Sequence, residues 1–409
     1  MKTLPLEGIK ILDFTRATAG PYGSLLLADL GAKVIRIEPT DSEEREHRAV
    51  LDNFVGDTYG FQIKGIGTHF LALNRNKDSI ALNMRSEGGR EIFRKLVPKA
   101  DVVYSNYRAG VDKKMGIDYE TLKKINPRII TCAITGYGPT GPLSRHASFD
   151  TIAQAMAGGM SITTGPDGAP IRPGIPYGDL GAGLYAAIGI LAAIQARHST
   201  GEGQEVNVSI LDGQISLLIY MITDYFASGE VWGPAGIGKR ADATHSWYKC
   251  KDGGYIAAAA AQKKWFEGLC RVIGREDLIT DPRFKEPEVR AQNREALKGI
   301  LEEAFLKKSV SEWEKLLLDE DVPCGAVNTL DKAVTHPQVI HQEMVSSFPH
   351  PLGGEFKAAG NPIKISGHGL IKNAPPVLGQ HTVKYLRDLL GYSEDELAHL
   401  KKEGSIWYP

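Results

Sequence analysis

Residues 9–14 (IKILDF), a Gly/Pro-bearing loop, a helical segment over 21–30 closed by Gly31, and a second apolar run over 33–37 (KVIRI) make one strand–helix–strand unit, and the chain repeats it. Residues 79–84 read as extended, Ser86 caps a helix over 87–97, and 101–105 is the next strand; a helix over 119–125 then leads into a strand over 128–134. Short apolar strands separated by helices pair in parallel, each helix crossing over one face of the sheet. The sequence therefore predicts an α/β fold with a mostly parallel sheet and ligand chemistry at the carboxyl ends of its strands.

Further along, a turn at Gly201-Glu202-Gly203 precedes a strand over 204–208 and a long helix over 210–228. Residues 229–243, crowded with glycine, break the pattern and read as a lid or a domain link. Strands over 246–250 and 255–260 with helices over 263–273, 290–306 and 311–319 suit a smaller α/β domain, and a short amphipathic helix over 394–402 lies near the end.

Composition removes several classes of function. With 48 Lys and Arg against 49 Asp and Glu in 409 residues, there is no whole-molecule field to capture nucleic acid or an anionic membrane, so any anion site is local. Cys132, Cys250, Cys270 and Cys324 show no metal-ligand spacing, so no metal is expected, and they read as reduced core thiols of a cytoplasmic protein. Residues 1–14 are interrupted too early by Pro5, Glu7 and Lys10 for a secretory segment, and the apolar stretch 180–196 suits a buried helix better than a membrane span.

The first loop, FTRATAGPYGS, sits where a dinucleotide fingerprint would, but Gly20-Pro21-Tyr22-Gly23 lacks the GxGxxG spacing, which argues against a nicotinamide enzyme. Pro21 instead starts a helix whose N-terminus attracts phosphate. Cations recur at strand ends: Arg36, Arg75, Lys77, Arg85, Arg108, Lys113 and Lys114. Each alone reads as a surface charge; together at one sheet edge they suit a ligand with several phosphates. Ser148 and Asp150 offer caps for the helix opening SFDTIAQAM. Asp179, in PYGDLGAGLYAAIGIL, reads either as a helix cap or as a carboxylate nucleophile among N–H donors, with Gly178 and Gly181 leaving room for a substrate. No GxSxG or HExxH occurs, and His146, His198, His245 and His381 read as structural or surface residues.

Long stretches of the chain, among them LEGIKILDFTRATAGP, ADLGAKVIRIE, KDSIALNMRSEGG, ADVVYSNYRAG, NPRIITCAITGYGPTGP, GDLGAGLYAAIGILAAIQARHSTGEGQEVNVSILD and LGQHT, resemble the class III CoA-transferases, the CaiB/BaiF-type family that also includes the α-methylacyl-CoA racemases. The resemblance implies a CoA thioester as substrate, no prosthetic group, and Asp179 as the nucleophile that forms an aspartyl anhydride and then an aspartyl-CoA thioester. It implies a CoA site at Ala17, Thr18, Arg36, Leu82, Arg85, Asn106, Tyr107, Arg108, Lys114, Met115, Phe149 and Asp150. It also implies an interlocked dimer, a homodimer or a heteromer with a paralogue. Each chain would have a Rossmann-like large domain over 1–200 completed by 340–409, a linker helix region over 201–228, a small domain over 229–330 and a return linker over 331–339.

Within that family the residues favour transfer over racemisation, since the racemase histidine and glutamate positions hold Phe149 and Gln262 and leave no second base. Thr18 in place of a glutamine, and the short GPAGIGK segment, argue against formyl/oxalate specificity. The expected reaction moves CoA from a donor such as succinyl-CoA to a carboxylic acid larger than oxalate. Trp232 and Trp247 are candidates to flank that acid, and Lys239, Arg240 and His245 to bind its carboxylate. A racemase and a non-catalytic subunit of a heteromeric transferase are the alternatives.

Overall fold

The structure is a computed structural model that describes residues 4–40, 61–165, 167–233 and 243–409. The chain forms two compact units: Met1–Met160 with Arg172–Ser228 and Ile340–Pro409, and Ser161–Ile171 with Gly229–Val339. The boundary differs from the sequence expectation in two ways. Residues 201–228 belong to the first unit instead of forming a linker, and residues 161–171 join the second, where Thr164 and Pro170 form an isolated bridge.

The first unit is built on a seven-stranded sheet of β1 (Lys10–Asp13), β2 (Lys33–Glu38), β3 (Lys77–Leu82), β4 (Val102–Ser105), β5 (Ile130–Thr135), β6 (Glu205–Ser209) and β7 (Ile406–Trp407), in the order β7-β3-β2-β1-β4-β5-β6. All pairs are parallel except β7 with β3. Alternate residues of one strand feed opposite cores, the signature of a sheet covered on both faces. Ile11 packs with Val34, Tyr104 and Ile190 on one side, while Leu12 packs with Ile35, Phe93 and Leu386 on the other. The strand order runs outward from β1 in both directions, so the loops after β1 and β4 diverge and open a crevice at the switch point.

The helices that concern the site are α1 (Ala19–Asp29), α2 (Thr68–Asn74), α3 (Asp150–Met156), α4 (Tyr177–Thr200), α5 (Ile210–Leu217) and α6 (Ile219–Ser228). The helix expected over 210–228 is thus two, broken at Leu218, whose backbone (φ −82°, ψ 3°) leaves the helical region. Helix α4 alone among the described residues is long and apolar enough to cross a membrane, yet half of its most apolar window is buried, and Ala186 and Ile190 sit in the sheet core. It meets α1 at two glycines. A Cβ on Gly23 would lie 2.7 Å from the Gly183 carbonyl, and one on Gly183 would lie 2.5 Å from the Ala19 carbonyl, so the backbones touch.

The second unit holds a three-stranded antiparallel sheet, Cys324–Ala326, Tyr255–Ala259 and His245–Lys249 in that order. Helices Lys263–Ile273, Arg294–Phe305 and Val310–Asp319 enclose a core in which Tyr248 stacks on Phe305 at 4.7 Å and Phe305 meets Trp313 edge-on. The helix expected over 290–306 is divided at Asn293 (φ −102°, ψ 22°).

Candidate active site

Asp179 is not a cap. Helix α4 begins at Tyr177 behind Pro176, which makes no side-chain cap bond, and Asp179 stands inside the first turn. The capping carboxylate comes from another helix: Asp150 Oδ1 accepts from the N–H groups of Gly178 (2.9 Å) and Asp179 (3.3 Å), and its Oδ2 accepts from Gln154 (2.7 Å). Gly178 makes this reach possible, because a Cβ there would stand 3.1 Å from Asp150 Oδ1 and 3.0 Å from Ile210. At Gly181 the space is taken by Leu217. The glycines beside Asp179 therefore bring α4 close to the neighbouring helices α3 and α5.

Burial pushes the Asp179 carboxyl up to about 7, and the nearby Asp150 carboxylate adds to the rise; a hydrogen bond from Thr18 opposes it. The group is half-buried at a helix N-terminus, where the macrodipole favours negative charge. A carboxylate stripped of part of its water and held at fixed donors is a competent nucleophile for an acyl carbon.

Thr18 is delivered by a strained loop. Asp13, at the end of β1, accepts from the Thr15 N–H (2.8 Å), the Thr15 hydroxyl (2.5 Å) and the Ser24 hydroxyl (2.6 Å), and so ties the loop to α1. Ala17 then adopts φ 58°, a left-handed conformation that L-residues rarely take. Across the switch point, Asn106 after β4 exchanges two hydrogen bonds with the Arg16 backbone, accepting from its N–H (2.9 Å) and donating to its carbonyl (2.7 Å).

These loops border a cleft of about 300 Å³, open to solvent, lined by Arg16, Glu38, Leu82, Arg85, Tyr107 and Met115 among others. It lies at the carboxyl ends of β1, β2, β3 and β4, where the strand order predicted a ligand. Of the expected CoA residues, the structure brings Leu82, Arg85, Tyr107 and Met115 to this cleft, and Asn106 shapes its wall. Arg108 and Lys114 are exposed on the segment that follows β4, and Ala17 is exposed in the first loop. Phe149 is 72% exposed and offers no titratable group.

Other expected cations turn inward. Arg36 is buried, donating to Glu38 (3.1 Å) and Asn74 (2.6 Å), so its charge is met inside the protein. Arg75 is buried on Asp29 (2.7 Å), and Lys77 donates to the Pro21 carbonyl (3.0 Å) and Ser24 (2.8 Å) with Asp13 at 3.7 Å. Burial drives the Lys77 ammonium down to about 7. Spacing alone marked these residues as strand-end charges; in the folded protein their charges are met by buried partners, and Lys77 braces the start of α1 through Pro21 and Ser24. Asp150, expected to touch CoA, has both oxygens engaged within the protein and positions Asp179 instead. Arg16, which sequence reasoning passed over, lines the cleft with its guanidinium 5.6 Å from the Tyr107 ring centre. Its place immediately after a parallel strand was the available signal.

In the second unit, His245 and Trp247 lie on one exposed strand, with Trp247 54% exposed. Gln262 is exposed at the start of a helix, and Trp232 is half-buried. Lys239 and Arg240 lie outside the described residues, as does most of the 229–243 segment.

A family model, CoA-transferase family III, matches residues 6–382. The chain is 34% identical over 403 residues to the succinyl-CoA:glutarate CoA-transferase of Homo sapiens, covering 98% of this chain and 90% of the relative. It is 37% identical over 367 residues to the acetyl-CoA:oxalate CoA-transferase of Acetobacter aceti, covering 89% and 90%. Among solved structures, a CaiB/BaiF family protein from Brucella suis superposes with a TM-score of 0.81 at 32% identity, covering 95% of this chain and all of that one.

Proposed function

The chain belongs to CoA-transferase family III, and on that premise we propose that it moves CoA between two carboxylic acids with Asp179 as the covalent carrier. That it is a CoA-transferase using CoA thioesters follows from the family and its relatives. The steps and the substrates are our reading.

One Asp179 oxygen attacks the donor thioester carbonyl, a C–O bond forms, the C–S bond breaks, and CoA leaves as thiolate, which gives an aspartyl anhydride. The thiolate attacks the aspartyl carbonyl, releasing the donor as its carboxylate and leaving an aspartyl-CoA thioester. The acceptor carboxylate attacks that thioester to form a new anhydride and free the thiolate again. Attack of the thiolate on the acceptor carbonyl yields the new CoA thioester and restores Asp179. Every step passes through a tetrahedral oxyanion, for which a helix N-terminus is a suitable neighbour.

The observation that carries the proposal is Asp179 itself: a carboxyl pushed up to about 7 in the first turn of α4, next to the phosphate-attracting start of α1. The cleft lined by Arg16, Arg85 and Tyr107 would take the nucleotide end of CoA, with Arg108 and Lys114 within the same loop region for its phosphates. We infer a succinyl-type donor and an acceptor larger than oxalate, in keeping with relatives named for succinyl-CoA and glutarate. A cytoplasmic dimer completes the reading. The dimer is supported by the large apolar side chains left in solvent, Ile188 (60% exposed), Ile219 (70%) and Phe226 (79%), and by α6, none of whose residues is buried.

Incubation with succinyl-CoA followed by hydroxylamine is expected to inactivate the enzyme and convert Asp179 to a hydroxamate, located by peptide mass spectrometry. An Asp179→Ala variant that still transfers CoA would overturn the assignment. Exchange of the substrate α-hydrogen with D₂O in the absence of acceptor would instead favour a racemase.

A further inference from the structure

We infer that His69 is a positioning residue of the transfer reaction: its Nε2–H holds the Thr18 oxygen so that the Thr18 hydroxyl proton is donated to the Asp179 carboxylate. The inference rests on the reading of Asp179 as nucleophile and adds a residue that neither the sequence pattern nor the cleft singled out.

Thr18 occupies the position before α1 where a threonine side chain ordinarily accepts from the helix's first N–H groups, but it makes no such bond. Its hydroxyl, on a residue only 6% exposed, pairs instead with His69 Nε2 at 3.2 Å, and it also lowers the pKa of the Asp179 carboxyl. One hydroxyl has one proton, so the two neighbours are served in one of two directions. Either Nε2–H donates to Thr18 and Thr18 donates to an ionised Asp179, or a protonated Asp179 donates to Thr18 and Thr18 donates to a bare Nε2.

The second ring nitrogen decides between them. His69 Nδ1 is buried and has no hydrogen-bond partner among the described residues. In the second direction a neutral ring must carry its proton on Nδ1, which buries an orphan N–H; in the first, Nδ1 is only an unfilled lone pair. Orphaned donors are much the rarer of the two in folded proteins. A doubly protonated ring would bring the orphan donor back, and burial lowers the His69 pKa from its ordinary value, keeping the ring neutral. The relay therefore points one way, His69 to Thr18 to Asp179, and ends on the oxygen pair that attacks the thioester.

Two features fix the geometry. Thr18 follows the left-handed Ala17 and precedes α1, while His69 stands in the first turn of α2, so both side chains come from element starts and not from free loops. The ring is thus a second support for the hydroxyl, which counteracts the pull of Asp150 and burial toward a protonated, unreactive nucleophile.

The test is the single-turnover rate at which Asp179 is converted to its CoA thioester by succinyl-CoA, followed by intact-protein mass spectrometry, for the full chain and for His69→Phe, His69→Gln, Thr18→Val and the His69→Phe/Thr18→Val pair. His69→Phe is expected to slow acylation roughly ten- to a hundredfold with KM for succinyl-CoA within about twofold. His69→Gln, whose amide N–H replaces Nε2–H, should recover most of the rate, and the double variant should be no slower than Thr18→Val alone. Should His69→Phe fail to fold, the comparison of His69→Gln at near wild-type rate with Thr18→Val carries the result. Additive losses in the double variant, a wild-type rate for His69→Phe, or no rescue by glutamine would each overturn the inference. Retention of transfer by Asp179→Ala would overturn the nucleophile reading beneath it, whereas normal Asp179 labelling with additive His69 and Thr18 effects would sink the relay alone.

Discussion

A carboxylate acting as a nucleophile, the role proposed for Asp179, must be partly dehydrated and yet must ionise to react, and Asp150 and Thr18 pull the Asp179 pKa in opposite directions. Because its pKa is raised in the folded protein, the cost of the charged form is absent at acid pH and grows as pH rises from about 4 through 7. Asp179→Asn should therefore stabilise the protein at pH 8, by up to about 4 kcal/mol, and leave it unchanged near pH 4, as read by urea unfolding at the two pH values. Asp150→Asn keeps an acceptor for the Gly178 and Asp179 N–H groups but removes the charge; the acid limb of kcat/KM should move down by roughly one pH unit. At this scale the sequence was half legible. Asp179 stood out among its glycines, but its cap comes from Asp150, and neither that contact nor the meeting of Thr18 with His69 leaves a local pattern.

Strands and helices show how much further a periodic pattern carries than a single residue does. The alternation of apolar runs with helices was enough to place β1 to β6 and their parallel pairing, since sheets buried on both faces demand such runs. The break between α5 and α6 was not legible, because no Gly or Pro marks Leu218. Nor was the contact of α1 with α4, although it brings Thr18 toward Asp179: it depends on two glycines far apart in sequence, Gly23 and Gly183. Gly183→Ala should push these helices apart, lowering stability by about 1–3 kcal/mol and reducing kcat more than it raises KM for the CoA thioester, measurable by chemical denaturation and steady-state kinetics. Arg85→Ala, at the far end of the cleft after β3, should do the reverse, raising KM for CoA thioesters about tenfold with kcat nearly intact and weakening the salt dependence of KM.

For the molecule as a whole, the two-unit organisation was readable from the glycine-rich break after residue 228, while the assignment of 161–171 to the second unit was not, because a short bridged segment carries no periodicity. Large apolar side chains stand exposed on α4, α5 and α6, Leu184, Ile215 and Leu217 among them, which is the ground for expecting a partner copy. Light scattering after size exclusion should return twice the chain's 44.5 kDa, and Ile188→Glu with Phe226→Glu should reduce that mass or the yield of folded protein. The edge strand β7 has one more consequence, which concerns synthesis. It pairs with β3 from more than 300 positions further along the chain, whereas Gly229–Val339, the bulk of the second unit, is made in one uninterrupted run. That run is therefore free to fold while the chain is still growing, and the seven-stranded sheet waits, its β3 edge open, until residues 406–407 have been made.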